Sequence, residues 1–145
     1  MSCLTRHEIR TWAMICLYQH LLLKRELSAI VGDIDSLSEC FDQQISQPVQ
    51  DPNTDLANDS YFQSLIQHFN QNEDTLLQEV SSHLSKGWAF NRLSAIEQAI
   101  LLLAATEIKA KKVDKPVAID EAVSLAKMYC DETAYRYING VLDKL

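Results

Sequence analysis

The side chains able to do chemistry in this 145-residue sequence are scattered rather than gathered. Cys3, Cys16, Cys40 and Cys130 include no C-x-x-C pair, and His7, His20, His68 and His83 no H-E-x-x-H spacing, so no metal-ligand pattern is encoded. The cysteines are expected as buried or half-buried thiols. Gly-rich phosphate loops and a G-x-S-x-G nucleophile turn are missing. Asp120 and Glu121 are adjacent, and neighbours on a helix point about a hundred degrees apart, so they cannot share one reacting atom. The expectation is a protein without catalysis, metal or cofactor.

What remains is a set of cationic and aromatic groups. Arg6 and Arg10 stand four apart and so share one face of a helix. Tyr137 sits at the flank of the apolar stripe made by Ala134, Ile138 and Val141, where a ring could stack on a base or simply close the core. The net charge of −7 opposes a general nucleic-acid binder, and its distribution sharpens the point. Residues 1–25 carry four basic and one acidic side chain, residues 26–79 eleven acidic and none basic, residues 80–145 nine basic and eight acidic. RNA contact is therefore confined to the two ends of the chain, and the middle is left to solvent or a basic partner.

The elements that must position these groups read as helices throughout. Three glycines and three prolines interrupt the chain, and alternating β-branched runs are missing. Thr5 and Glu8 form a capping box that opens a first helix to about Leu23, apolar on nearly every side and hence central. A second helix is expected over 26–45, a loop over 46–59, a third helix around Tyr61 to Phe69, and a fourth after Asn72 as its N-cap. Ser94 and Glu97 make a second capping box before a buried helix whose end is marked by Lys109, Lys111, Lys112 and Lys115, cations suited to a helix C-terminus. Pro116 ends the connection to a helix over Val117 to Met128, and Asp131 is placed to cap a seventh. A hydrophobic fraction of 47%, with no apolar run of the ~20 residues a bilayer requires, excludes a helical membrane span. The N-terminus lacks the pattern of a secretory signal, so a cytoplasmic, single-domain protein over 1–145 is expected.

A string of segments resembles the NusB family. It begins with Arg6 to Gln19, including Arg10, Ala13 and Leu17-Tyr18-Gln19. It continues through Gly87-Trp88, Arg92-Leu93-Ser94, Glu97, Ala99-Ile100-Leu101 and Glu107, then Pro116 to Ala122, Leu125-Ala126-Lys127 and Tyr129. Tyr137-Ile138-Asn139-Gly140-Val141-Leu142-Asp143 is the most specific segment, and about residues 25–75 match poorly. The resemblance implies an all-α fold of about seven helices in two small bundles sharing a central first helix. It implies binding of boxA RNA together with NusE, a ribosomal protein of the small subunit, within an antitermination complex on RNA polymerase, chiefly in ribosomal RNA operons. Position by position it implies RNA contact at Arg6, Arg10, Tyr18, Glu97 and Tyr137.

Each of these has a plainer reading: solvated arginines, a core-edge tyrosine, and for Glu97 the capping of Ser94. Asn139-Gly140 reads as structural, glycine allowing close helix contact or a distorted turn and the asparagine satisfying backbone groups beside it. The thinned arginine tract, Asp120 in place of a common asparagine and Ala134 in place of a common serine depart from the family pattern. The sequence leaves two alternatives, a module that binds only protein and a detached domain of an RNA methyltransferase, and it leaves a homodimer open in any of these readings.

Overall fold

The computed structural model describes residues 5–32, 59–84 and 87–145. Six α-helices account for most of them: α1 (Arg6–Leu23), α2 (Leu27–Gly32), α3 (Ser60–Ser82), α4 (Ala95–Lys109), α5 (Lys115–Tyr129) and α6 (Ala134–Asp143), with a 3-10 turn at Phe90–Arg92. No strand occurs among the described residues.

Both expected capping boxes form. The Thr5 hydroxyl accepts from the Glu8 amide at 3.1 Å while the Glu8 carboxylate accepts from the Thr5 amide at 2.9 Å, and Ser94 and Glu97 repeat the exchange before α4. These satisfy amides that a helix start otherwise leaves unpaired. In α1 every residue from Ile9 to Leu17 is at most 5% exposed, and in α4 every residue from Ala99 to Glu107 at most 3%. A helix covered on all sides must lie at a seam. α1 packs on α2, α3 and α4, whereas α4 touches α1, α3, α5 and α6. The two bundles, α1–α3 and α4–α6, therefore meet where α4 packs against α1 and α3, and α4 shares the central place expected for α1.

Three local expectations are corrected. Asn72 does not start a fourth helix: α3 is continuous through it, bent there at φ −126° and ψ 20°. The Asn72 amide donates back to the His68 carbonyl at 2.9 Å, so the side chain serves the turn before it rather than the one after. Arg6 over Tyr61 and His20 against Glu73 place α3, from its start to just past the bend, alongside α1 in the same direction, and farther on Glu79 reaches Lys109 at 3.5 Å. Asp131 does not cap the last helix; Thr133 precedes it with no side-chain cap. Lys115 belongs to the start of α5, beside Pro116 in the first turn, and its ammonium donates to the backbone oxygens of Asp143 and Leu145 at 2.6 and 2.8 Å, closing the C-terminus of α6 instead of α4. The expected helix over 26–45 is seen as Leu27–Gly32; its remainder and the loop up to residue 58 lie outside the described residues.

Candidate nucleic-acid interface

The residues singled out in the sequence fall at separate places. At the start of α1 an ionic cluster joins four helices. Arg10 is 5% exposed, and its Nε donates to both carboxylate oxygens of Glu107, on α4, at 3.0 and 2.9 Å. Its Nη1 donates to Glu121, on α5, at 3.2 Å. The Tyr61 hydroxyl, from α3, donates to the same Glu107 carboxylate. Burial acts to lower the Arg10 pKa, but the charge and hydrogen bond of Glu107, with help from Tyr61 and Glu121, outweigh it and leave the group more firmly protonated. The Tyr61 phenol is pushed up to about 12, first by burial and then by its bond to Glu107.

This corrects one expectation. Four-residue spacing puts Arg6 and Arg10 on one side of α1, yet that side turns under the neighbouring helices after its first turn. Only Arg6 is exposed; Arg10 points inward and offers no donor to a phosphate in solvent. A signal existed, because Arg10 and Glu107 are the charges that fall inside the apolar stretches 9–17 and 99–107, and a buried charge requires a partner.

The second place is the junction of α4 with α6. Ring centroids of Tyr137 and Trp88 lie 5.0 Å apart at an interplanar angle of 47°, within the range for attractive aromatic pairs. Trp88 keeps 51% of its surface exposed, and Tyr137 is half-buried. The Tyr137 hydroxyl is buried with no hydrogen bond of normal geometry; burial, followed by the nearby Glu97 carboxylate, Cys130 and Asp131, pushes its pKa well up. The structure thus brings Tyr137 and Glu97 together, with Glu97 also closing its capping box. Beside them opens a pocket of about 80 Å³, with Trp88, Tyr137, His83, Gly140 and Lys144 on its walls.

Gly140 does not serve close helix packing as its sequence context suggested: a Cβ there would meet nothing within 4 Å, and the residue lines the pocket. Gly87, just before Trp88, has a φ of +89°, a backbone state that suits glycine and turns the chain so that the indole can reach Tyr137. Tyr18 lies half-buried against the core, twelve residues and so about 18 Å along α1 from Arg6. Trp88 and Tyr61 were not singled out for a role from the sequence, since neither carries a pattern that distinguishes it from core.

Comparison with known proteins decides the family. The family model described as "NusB family" matches residues 7–145. The chain belongs to the NusB family. The transcription antitermination protein NusB of Pediococcus pentosaceus is 32% identical over 142 residues, covering 98% of this chain and 97% of that protein. The NusB of Lactococcus lactis is 40% identical over 88 residues, 61% of this chain but 46% of that longer protein. Among solved structures, T. maritima NusB superposes with a TM-score of 0.76 at 25% identity, covering 99% of this chain and 91% of that one. A chain from the complex of antitermination factors NusB and NusE with dsRNA shares the fold at a TM-score of 0.72 and 24% identity, covering 96% and 93%. The two-bundle helical architecture is that of NusB. Among the described residues, no helix is long and apolar enough to cross a membrane.

Proposed function

We propose that this NusB-family chain acts as a non-catalytic transcription antitermination factor, one domain over 1–145, that binds boxA RNA jointly with NusE as part of a complex on RNA polymerase in the cytoplasm. The observation that carries this reading is the family match over residues 7–145. Charge explains why the binding is joint. With Arg10 neutralised internally, the start of α1 offers Arg6 among few cations, and the acidic block over 26–79 repels phosphates within a Debye length of about 8 Å at physiological salt. A basic ribosomal protein supplies the missing cations and completes a composite surface.

Within that surface Arg6 meets phosphate. Tyr137 offers a ring for a base, Glu97 sits beside it where a carboxylate can accept from an exocyclic amine, and Tyr18 lies toward the partner. Arg10 holds the seam from inside.

The test is a titration of labelled boxA RNA, beside a scrambled RNA, at about 0.15 M salt with and without NusE. The mixture should bind boxA selectively and the isolated chain weakly, and RNA should tighten the protein pair by the same factor as NusE tightens RNA binding. Equal affinity and selectivity without NusE would refute the composite site. Burial of Arg10 favours a second reading, a module that binds protein with little or no RNA affinity; failure of the mixture to prefer boxA over the scrambled RNA would establish it.

A further inference from the structure

Arg6 is seated on a platform supplied by its own fold. Its guanidinium carbon lies 3.7 Å above the ring centroid of Tyr61, a stacking distance for cation and π-face. The ring is anchored: the Tyr61 hydroxyl donates to Glu107, a residue 1% exposed and itself gripped by Arg10. Stacking engages only the flat face of a guanidinium. Its N–H groups lie in the plane and stay open to a bidentate oxyanion. The carboxylates of the cluster do not claim them, because Glu107 and Glu121 are bound by Arg10, and Arg6 makes no ion pair among the described residues.

We infer that Tyr61 is the positioning residue for oxyanion recognition by Arg6, holding an exposed guanidinium in place for one phosphate of the RNA. The inference rests on the RNA-binding reading above and deepens it by naming the group that prepares the contact. A free arginine side chain surrenders most of its rotamer freedom when it grips a phosphate, whereas one already stacked has lost much of it in the unbound protein. In a chain with so few exposed cations near its N-terminus, this preparation makes one arginine count for more.

A double-mutant cycle on the NusE complex, with labelled boxA RNA at about 0.15 M salt, tests it. Arg6→Ala should weaken binding several-fold and flatten the salt slope by somewhat less than one unit, given about −0.7 per phosphate contact on a single strand. Tyr61→Leu should weaken binding about two- to fivefold beside native Arg6 and have no effect beside Arg6→Ala. Tyr61→Phe, which keeps the ring, should hold affinity within about twofold. Arg6→Lys, with its charge retained but its stacking plane lost, should match Tyr61→Leu, and it carries the test if Tyr61→Leu fails to fold.

An equal loss from Tyr61→Leu in both backgrounds, or full affinity in Arg6→Lys, overturns the positioning role while leaving the RNA reading intact. If Arg6→Ala changes neither affinity nor salt slope, the phosphate role of Arg6 fails, and the role of Tyr61 falls with it.

Discussion

Replacing Arg10 by methionine should destabilise this protein far more than any change at Arg6, four residues away on the same helix. The substitution keeps the aliphatic bulk but removes three hydrogen bonds and leaves the Glu107 carboxylate, 1% exposed, facing the Tyr61 hydroxyl alone. Removing one partner of a buried ion pair costs about 3–5 kcal/mol, mostly because the surviving charge stays desolvated. The retained phenol donor places the expectation near the lower end, about 3 kcal/mol.

An unfolding entropy of about 2.1 cal/mol/K per residue gives about 0.3 kcal/mol/K for 145 residues, so the melting temperature should fall by about 10 °C. Arg6→Ala gives up one exposed cation–π contact and should shift it by about 2–3 °C at most. The double variant Arg10→Met with Glu107→Leu removes both charges and should melt above Arg10→Met alone. Thermal unfolding followed by circular dichroism at neutral pH reads all three. If Arg10→Met melted within about 3 °C of the native protein, the guanidinium would be solvated in practice, and the account of the seam between the bundles would be wrong.

Further outcomes follow from the same geometry. Tyr137→Ala should weaken boxA binding by the NusE complex by roughly 1–3 kcal/mol, the scale of one stacked base, while Tyr137→Phe, which deletes a buried hydroxyl with no hydrogen bond of normal geometry, should melt no lower than the native chain. Unchanged RNA affinity in a folded Tyr137→Ala would remove that ring from the site. Gly140→Ala should raise stability by about 0.5–1 kcal/mol, because a Cβ there meets no atom within 4 Å in a helix interior, yet it should weaken RNA binding if the adjoining pocket is occupied in the complex. Cys16, with its thiol pushed up to about 12 by burial, should resist alkylation at pH 8 until the chain unfolds, as peptide mapping of the labelled protein would show. Because the folded values of Cys16 and Tyr61 stand above their ordinary 9.0 and 10.0, the native state keeps protons that the unfolded chain releases; stability should be level below about pH 9 and decline as the pH rises toward 12, and a melting temperature rising over that interval would contradict the burial.

Much of the fold was legible because its determinants are local. Thr5 with Glu8 and Ser94 with Glu97 announce helix starts through the chemistry of two residues each, and both form as read. The all-round apolar runs of α1 and α4 disclosed burial for a similar reason. Misreadings arose where a side chain had two local options. Asn72 can accept from the turn ahead or donate to the turn behind, and in the fold, where α3 runs on past it against α1 and α4, it does the second. Lys115 follows a lysine-rich helix end, but its target is the end of α6, twenty-eight residues on, and nothing in the spacing reveals it.

The candidate site was legible in part. Glu97 and Tyr137 do meet, whereas the apolar stretches around Arg10 and Glu107 signal that each charge needs a partner without naming the other, ninety-seven residues away, as that partner. Helical spacing tells which residues share a side, and only the tertiary fold tells whether that side faces water.

The long separation between α1 and α4 also bears on how the protein is made. The apolar surface of α1 leaves the ribosome first, but the helix that covers much of it begins at Ala95, some ninety residues later. At about 5–20 residues per second, α1 waits roughly 5–20 seconds with much of its hydrophobic circumference uncovered. During synthesis α2 and α3 can shield one side of it. The Arg10 guanidinium cannot close on Glu107 until that residue emerges, so the final locking of the two bundles is a late event of synthesis.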